Sequence, residues 1–159
     1  MDWNRLLSRA RPGLDRPHPA SEARTDFQRD FDRIVFSSAF RRLQDKTQVF
    51  PLSQSYYVRT RLTHGLEVSS VGRSLGTMVG DQVIRRHQLK GVDPQDFGAV
   101  VAAACLAHDI GNPPFGHAGE DAIRLWFATS ATGQTVLAAL AEPQRQDFLR
   151  FEGNAQGFR

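Results

Sequence analysis

The sequence has little cysteine and no long apolar run. Its 159 residues include one cysteine, Cys105, which excludes an intramolecular disulfide bond. No stretch approaches the roughly 20 apolar residues that span a bilayer, and the first residues lack the apolar core of a signal peptide. We therefore expect a cytoplasmic protein that has no membrane partner.

Lysine is also scarce. Lys46 and Lys90 are the only lysines among the 20 basic residues, and the formal net charge is +3. Arginine binds phosphate oxygens in bidentate fashion, which lysine cannot do, although genomic composition alone can enrich arginine. The excess of positive charge is too small to predict a nucleic-acid partner by itself.

Apolar residues that recur at helical spacing predict an all-α fold. Hydrophobic residues make up 40% of the chain, which is ordinary for a globular domain. The pattern predicts helices over about residues 26–44, 63–86, 94–108, 118–127, 135–140 and 144–151. Residues 1–24 contain prolines that interrupt any helix, so we expect a flexible arm there and a domain over residues 25–159.

One segment has a different pattern. Residues 47–61 carry β-branched and aromatic residues on both sides of a polar stretch. This alternation is typical of strands joined by a turn, so it predicts one short β-hairpin in the otherwise helical fold.

The predicted helix over residues 63–86 has two distinctive faces. Its larger apolar residues recur at helical spacing and predict a buried stripe formed by Leu66, Val71, Leu75, Met78 and Val79. Gly72, Gly76 and Gly80 recur every fourth residue. Because glycine weakens a helix by roughly 1 kcal/mol relative to alanine, this face predicts the close approach of a second helix.

An imidazole and a carboxylate stand side by side at His108 and Asp109, directly after an alanine-rich apolar run. Gly111 and two prolines then end the predicted helix. Nitrogen and oxygen ligands together suit Mn²⁺ or another divalent transition metal. The pair is therefore predicted to lie at the end of a buried helix, with a metal-binding or catalytic role.

A catalytic metal needs about three protein ligands. His64 is the best candidate for the third, because it opens a helix that we expect to pack on the His108 helix. From spacing alone, a histidine at a helix start has no ligand role more often than not. His117 and Glu120 share a helical face, and such a pair can orient water, protonate a leaving oxygen or simply cap a helix.

Four blocks of the sequence resemble the deoxyguanosine triphosphate triphosphohydrolases among the HD-domain phosphohydrolases. They stand in the family's order at residues 40–49, 59–64, 108–120 and 151–156. The resemblance implies a mainly helical domain that cleaves a deoxynucleoside triphosphate to the nucleoside and inorganic tripolyphosphate. It implies a divalent metal ion, which is Mg²⁺, Mn²⁺ or another transition metal. It also implies single-stranded nucleic acid as an effector. We further expect a homo-oligomer.

The resemblance also implies roles for individual residues. The implied metal ligands are His64, His108 and Asp109. The implied catalytic pair is His117 and Glu120. Arg61 is implied to bind the phosphates, and Gln48 and Val49 are implied to recognise the sugar. Asn154 and Gln156 are implied to line the pocket.

The sequence departs from the family at one point. The family's metal site also uses a later aspartate, whereas Asp147 is the only aspartate after Asp121 here and lacks the expected context. We therefore expect residues 25–159 to be the N-terminal part of an HD domain, with weak metal binding and slow or no turnover on its own. Two alternatives stay open: an HD phosphohydrolase acting on another nucleotide, and an inactive fragment that binds metal or nucleotide weakly.

Overall fold

A computed structural model describes residues 2–11, 13, 24–46 and 60–159, and this part of the chain is mainly helical, as predicted. The α-helices are α1 (Trp3–Leu6), α2 (Asp26–Phe36), α3 (Ser38–Arg41), α4 (Arg61–His87), α5 (Pro94–Ala107), α6 (Gly116–Thr129), α7 (Ala131–Ala138), α8 (Glu142–Leu149) and α9 (Gly153–Phe158). A 3₁₀-helix over Arg42–Asp45 follows α3. The chain divides into two compact units, Met1–Ser37 with Leu66–Leu106 and Ser38–Gly65 with Ala107–Arg159.

Helix α2 begins where the sequence predicts but ends early. Thr25 Oγ1 accepts a hydrogen bond from the Gln28 N–H, and the Gln28 side chain accepts one from the Thr25 N–H, which forms a capping box. Ser37 has an extended backbone, and its hydroxyl donates to the carbonyl of Ile34 at 2.8 Å. Such local bonds compete with helix continuation. The single helix predicted over residues 26–44 is therefore wrong, and α2, α3 and the 3₁₀-helix replace it.

Small residues form the contact between α4 and α5 in the first unit. A Cβ added at Gly76 would lie 2.9 Å from the Phe97 carbonyl oxygen, and one added at Gly80 would lie 2.7 Å from the Phe97 ring. The Ser69 hydroxyl donates to the Ala102 carbonyl at 3.0 Å. The predicted close approach on the glycine face is confirmed, and the approaching helix is α5.

The larger apolar residues of α4 behave differently from the prediction. Val71 is 61% exposed, Met78 is 64% exposed, and Leu66, Leu75 and Val79 are exposed as well. The predicted buried stripe is wrong, because α5 approaches the glycine face instead. Among the described residues, no helix combines the length and the apolarity needed to cross a membrane.

The first residues form a short helix. The Asp2 carboxylate accepts hydrogen bonds from the N–H groups of Asn4 and Arg5 and so caps α1. The Trp3 ring lies 5.9 Å from the His87 ring and 5.8 Å from the Phe97 ring, between centroids. The irregular conformation predicted for residues 1–24 is therefore wrong for residues 3–6. The flexibility of the arm stays a prediction, and residues 12 and 14–23 lie outside the described residues.

Most of the predicted hairpin, residues 47–59, lies outside the described residues, together with Gln48 and Val49. Next to this segment, Thr60 is a single bridge residue and the Arg61 N–H donates to the Lys46 carbonyl at 3.0 Å. Helix α4 starts at Arg61, two residues before the predicted start. The hairpin stays a prediction.

The second unit ends in a series of short helices. Ser130 alone separates α6 from α7, and its hydroxyl oxygen accepts from the Gly133 N–H at 2.9 Å. The long break between the helices predicted over residues 118–127 and 135–140 is therefore wrong. Helix α9 was not predicted, and the Glu152 carboxylate caps it by accepting from the N–H groups of Asn154 and Ala155.

Candidate metal centre

The three implied metal ligands lie together in the second unit. One ligand atom from each of His64, His108 and Asp109 lies within 4.8 Å of the others. The two imidazole rings are 5.4 Å apart between centroids and tilted by 72°. These residues, here named the His–His–Asp group, can hold a metal ion through two nitrogens and an oxygen, with coordination positions left open.

The end of α5 determines where two of these ligands lie. His108 and Asp109 directly follow Ala107, the last residue of α5. The turn continues with hydrogen bonds from the Ile110 N–H to the Ala107 carbonyl and from the Asn112 N–H to the Asp109 carbonyl. Asp109 is buried, whereas the His108 side chain is 37% exposed. The carboxylate is thus anchored in the protein while one imidazole is open to solvent.

The two oxygens of Asp109 have different surroundings. Oδ1 accepts from the Asn112 side-chain amide at 2.5 Å and forms an ion pair with Arg61 Nη1 at 3.0 Å. Oδ2 lies 3.3 Å from His108 Nε2. One oxygen is therefore in contact with Asn112 and Arg61, and the other faces His108.

Arg61 makes a contact that the sequence did not predict. It was expected to bind phosphate, and the structure pairs its buried guanidinium with Asp109 instead. Its Nε is buried and has no hydrogen-bond partner. A Cβ added at Gly116 would lie 2.8 Å from Arg61 Nη2, so a side chain there would press on the guanidinium. Arg61 thus places a fixed positive charge beside the candidate metal ligand, and the phosphate role stays a prediction.

Lys46 and Asn112 also belong to this site, although the sequence did not single them out. Lys46 Nζ donates to the Asn112 carbonyl at 2.6 Å. Burial lowers the pKa of Lys46, and the nearby cations Arg61 and Arg42 lower this pKa further. One signal was available, because Lys46 is one of only two lysines in an arginine-rich chain.

His117 and Glu120 meet at the start of α6, as their spacing predicts. His117 Nδ1 lies 3.0 Å from Glu120 Oε2, and the Gly153 N–H donates to Glu120 Oε1 at 2.7 Å. The Glu120 carboxylate is 4% exposed, whereas the His117 side chain is 95% exposed. The hydrogen bond from His117 is the largest cause that lowers the pKa of Glu120, although burial opposes it, and the bond from Gly153 and the charge of Arg124 lower this pKa too. The arrangement is a buried anion that orients an accessible imidazole.

Helix α9 lies against the turn that follows the His–His–Asp group. A Cβ added at Gly153 would lie 2.0 Å from Asn112 Oδ1 and 2.9 Å from Glu120 Oε1. Gly153 therefore adjoins both the turn after Asp109 and the His117–Glu120 pair. No side chain larger than hydrogen fits at this position while both contacts persist.

The two pocket residues implied on α9 lie in different surroundings. Asn154 is exposed, and Gln156 is half-buried. Gln156 lines a cavity of about 320 Å³ together with Leu140, Gln144, Asp147, Phe148, Phe151 and Arg159. The structure thus places Gln156 at a cavity of the second unit, while the substrate contacts of both residues stay predictions.

The buried Glu120 carboxylate should make stability depend on pH. Its pKa is lowered in the folded chain, so its contribution is present above the ordinary carboxyl pKa and is lost as the pH falls through the folded value. Between pH 7 and about pH 3, wild type should therefore lose more free energy of unfolding than Glu120→Gln. Urea titrations of both proteins at each pH measure this difference. Equal losses in the two proteins would contradict the assigned role of the carboxylate.

Sequence comparisons agree with this geometry. The HD domain family model matches residues 61–150. The chain is 61% identical over 160 residues to a deoxyguanosinetriphosphate triphosphohydrolase-like protein of Synechocystis sp., in an alignment that covers 100% of the chain and 36% of the relative. It is 55% identical over 159 residues to a protein of the same name from Pseudomonas aeruginosa, with 100% and 35% covered.

A third relative is named as a deoxyguanosinetriphosphate triphosphohydrolase itself, without the words "-like protein". The deoxyguanosinetriphosphate triphosphohydrolase of Klebsiella pneumoniae is 44% identical over 160 residues, which cover 84% of the chain and 32% of that relative. The chain spans about a third of the length of the curated relatives that it matches. The chain belongs to the HD-domain family, and its homology to the deoxyguanosinetriphosphate triphosphohydrolase-like proteins extends over its whole length.

Proposed function

We propose that the chain carries the metal centre of a hydrolase that converts a deoxynucleoside triphosphate and water into a deoxynucleoside and tripolyphosphate. The observation that supports this most is the convergence of His64, His108 and Asp109, three side chains from separate parts of the sequence. Their donor set of two imidazoles and one carboxylate fits Mn²⁺ or another divalent transition metal better than it fits Mg²⁺. When bound, such an ion supplies Lewis acidity toward phosphoryl oxygens and water.

The His117–Glu120 pair supplies proton transfer in this proposal. Because the Glu120 carboxylate accepts from Nδ1, Nε2 of His117 is the nitrogen open to solvent and substrate. Hydrolysis at the α-phosphorus breaks the bond to the 5′-oxygen, and this oxygen must take up a proton as it leaves. Nε2 can donate that proton, while the buried carboxylate holds the ring in place through Nδ1.

Substrate contacts are assigned to residues outside the His–His–Asp group. We assign phosphate binding to Arg61, whose guanidinium forms an ion pair with Asp109 through Nη1. We assign sugar recognition to Gln48 and Val49, and part of the pocket wall to Asn154 and Gln156. A homo-oligomer and a single-stranded nucleic-acid effector remain predictions.

The test is the identity of the product. The chain is incubated with dGTP and Mn²⁺, and the products are separated by anion exchange. Deoxyguanosine and tripolyphosphate should form in equal amounts, and His108→Ala should form neither. Stepwise release of orthophosphate would indicate a different phosphohydrolase. Metal binding without any product would contradict the proposed reaction for this chain.

A further inference from the structure

We propose that Asn112 is a positioning residue that determines which oxygen of Asp109 faces the metal ion. This inference rests on the metal role assigned to Asp109 in the proposed function. It concerns a residue that lies outside the His–His–Asp group and outside the His117–Glu120 pair.

The hydrogen bonds of the Asp109 carboxylate support this role. A carboxylate oxygen accepts about two hydrogen bonds. Oδ1 accepts one from Asn112 Nδ2 at 2.5 Å and forms an ion pair with Arg61, whose Nη1 lies 3.0 Å away. Oδ2 lies on the side of His108, 3.3 Å from Nε2. Oδ2 is therefore the oxygen left for the metal, and Asp109 binds through one oxygen only.

Asn112 is itself held on three sides. Its N–H donates to the Asp109 carbonyl at 3.2 Å, and its own carbonyl accepts from Lys46 Nζ at 2.6 Å. Its side-chain Oδ1 lies so close to Gly153 that a Cβ there would approach within 2.0 Å. With Oδ1 against Gly153, the amide nitrogen points at Asp109, and a rotated amide would set an oxygen against the carboxylate. Lys46 and Gly153 thus fix the orientation through which Asn112 acts.

Partners that orient a metal ligand affect metal affinity without touching the ion, typically by 10–100-fold. Without the Asn112 amide, Oδ1 keeps only the ion pair with Arg61. The carboxylate can then rotate and offer both oxygens. We therefore expect weaker binding and a changed binding mode, which a purely structural residue would not produce.

The experiment compares wild type, Asn112→Ala and a matched control. The control is Gln134→Ala, which also removes a hydrogen-bonded side-chain amide, because the Gln134 amide donates to the backbone carbonyls of Phe127 and Ala128 and not to Asp109. Calorimetric titration with Mn²⁺ should give a dissociation constant about 10–100-fold higher for Asn112→Ala than for wild type. Gln134→Ala should match wild type.

A spectroscopic measurement separates positioning from a general loss of structure. In the Mn²⁺-induced infrared difference spectrum, carboxylate stretching bands lie further apart for one-oxygen than for two-oxygen ligation. Wild type and Gln134→Ala should show the wide separation, and Asn112→Ala a narrower one. If Asn112→Ala does not fold, Lys46→Met is measured in its place, because it removes the hydrogen bond to the Asn112 carbonyl. Lys46→Met should also weaken Mn²⁺ binding and narrow the band separation, but by less than expected for Asn112→Ala.

The outcomes distinguish this inference from the proposed function. Wild-type affinity and band separation in Asn112→Ala, or in Lys46→Met where that variant replaces it, would overturn the positioning role and leave the metal centre intact. Absence of Mn²⁺ binding by wild type would overturn both. If wild type binds Mn²⁺ but forms no tripolyphosphate, the proposed reaction is contradicted. The ratio of the Mn²⁺ dissociation constants of Asn112→Ala and wild type still decides the role of Asn112.

Discussion

Replacing Asp109 by alanine should abolish Mn²⁺ binding and cost about 3–5 kcal/mol of stability, because the change leaves a buried charge without its partner. The side chains of Arg61 and Asp109 are 10% and 9% exposed, and they are joined at 3.0 Å. A position at the end of a helix suggests a small cost to the fold. The ion pair with Arg61 corrects that expectation.

The comparison with His108→Ala separates the two effects. The His108 side chain is 37% exposed, so its removal should abolish Mn²⁺ binding with a cost near 1 kcal/mol. In the double variant Asp109→Ala with Arg61→Met, neither charge remains. Its stability should recover toward wild type while metal binding stays absent.

Calorimetry with Mn²⁺ and urea unfolding without metal measure these changes. If Asp109→Ala binds Mn²⁺ with wild-type affinity, the Asp109 carboxylate is not a metal ligand. A double variant as unstable as Asp109→Ala alone would show that the unpaired charge of Arg61 is not the cause of the loss.

Two of the candidate metal ligands could be singled out from the sequence because their signal is local. His108 and Asp109 are adjacent, they follow an apolar helix, and Gly111 ends that helix. The assignment of His64 needed the resemblance, since spacing alone favoured a histidine without a ligand role. The structure brings all three ligand atoms within 4.8 Å. The proximity of the three residues was thus predictable from the sequence, and their metal role stays a prediction.

The contacts that orient the ligands were not predictable in the same way. Lys46 and Asn112 are 66 positions apart, and no periodic pattern links a lysine side chain to a backbone carbonyl. Arg61 was expected to bind phosphate because the family resemblance implies that role. Its pairing with Asp109 depends on how the first turn of α4 approaches the end of α5, which is a tertiary feature.

The two faces of α4 show where hydrophobic periodicity misleads. The hydrophobic periodicity predicted that large side chains such as Val71 and Met78 are buried, but both are exposed in the structure. A glycine contributes nothing to a hydrophobic stripe, although its lack of a side chain allows the closest contact. At Gly76 and Gly80, backbone proximity to Phe97 determines the buried face. The glycine repeat was therefore the more informative signal.

The second substitution with a large expected effect is at Gly111, where the backbone lies close to α9. A Cβ added there would lie 2.1 Å from the Gly153 carbonyl oxygen and 2.1 Å from the Gly157 backbone nitrogen. Both neighbours are backbone atoms of α9, so no side-chain rotation can relieve the collision. The helix would have to move away from the turn that carries Asn112.

Gly111→Ala should therefore destabilise the chain by about 3 kcal/mol or more, at the upper end of overpacking effects. Gly157→Ala is the matched control on the other side of the same contact, because its added Cβ would meet the nearest atom, the Gly111 nitrogen, at 3.2 Å. Alanine also favours a helix, so this change should be close to neutral. Since Gly111 precedes Asn112, the first variant should also lose Mn²⁺ affinity. Urea unfolding and hydrogen exchange across residues 153–158 measure the loss, and equal stability of the two variants would show that α9 does not press on this turn.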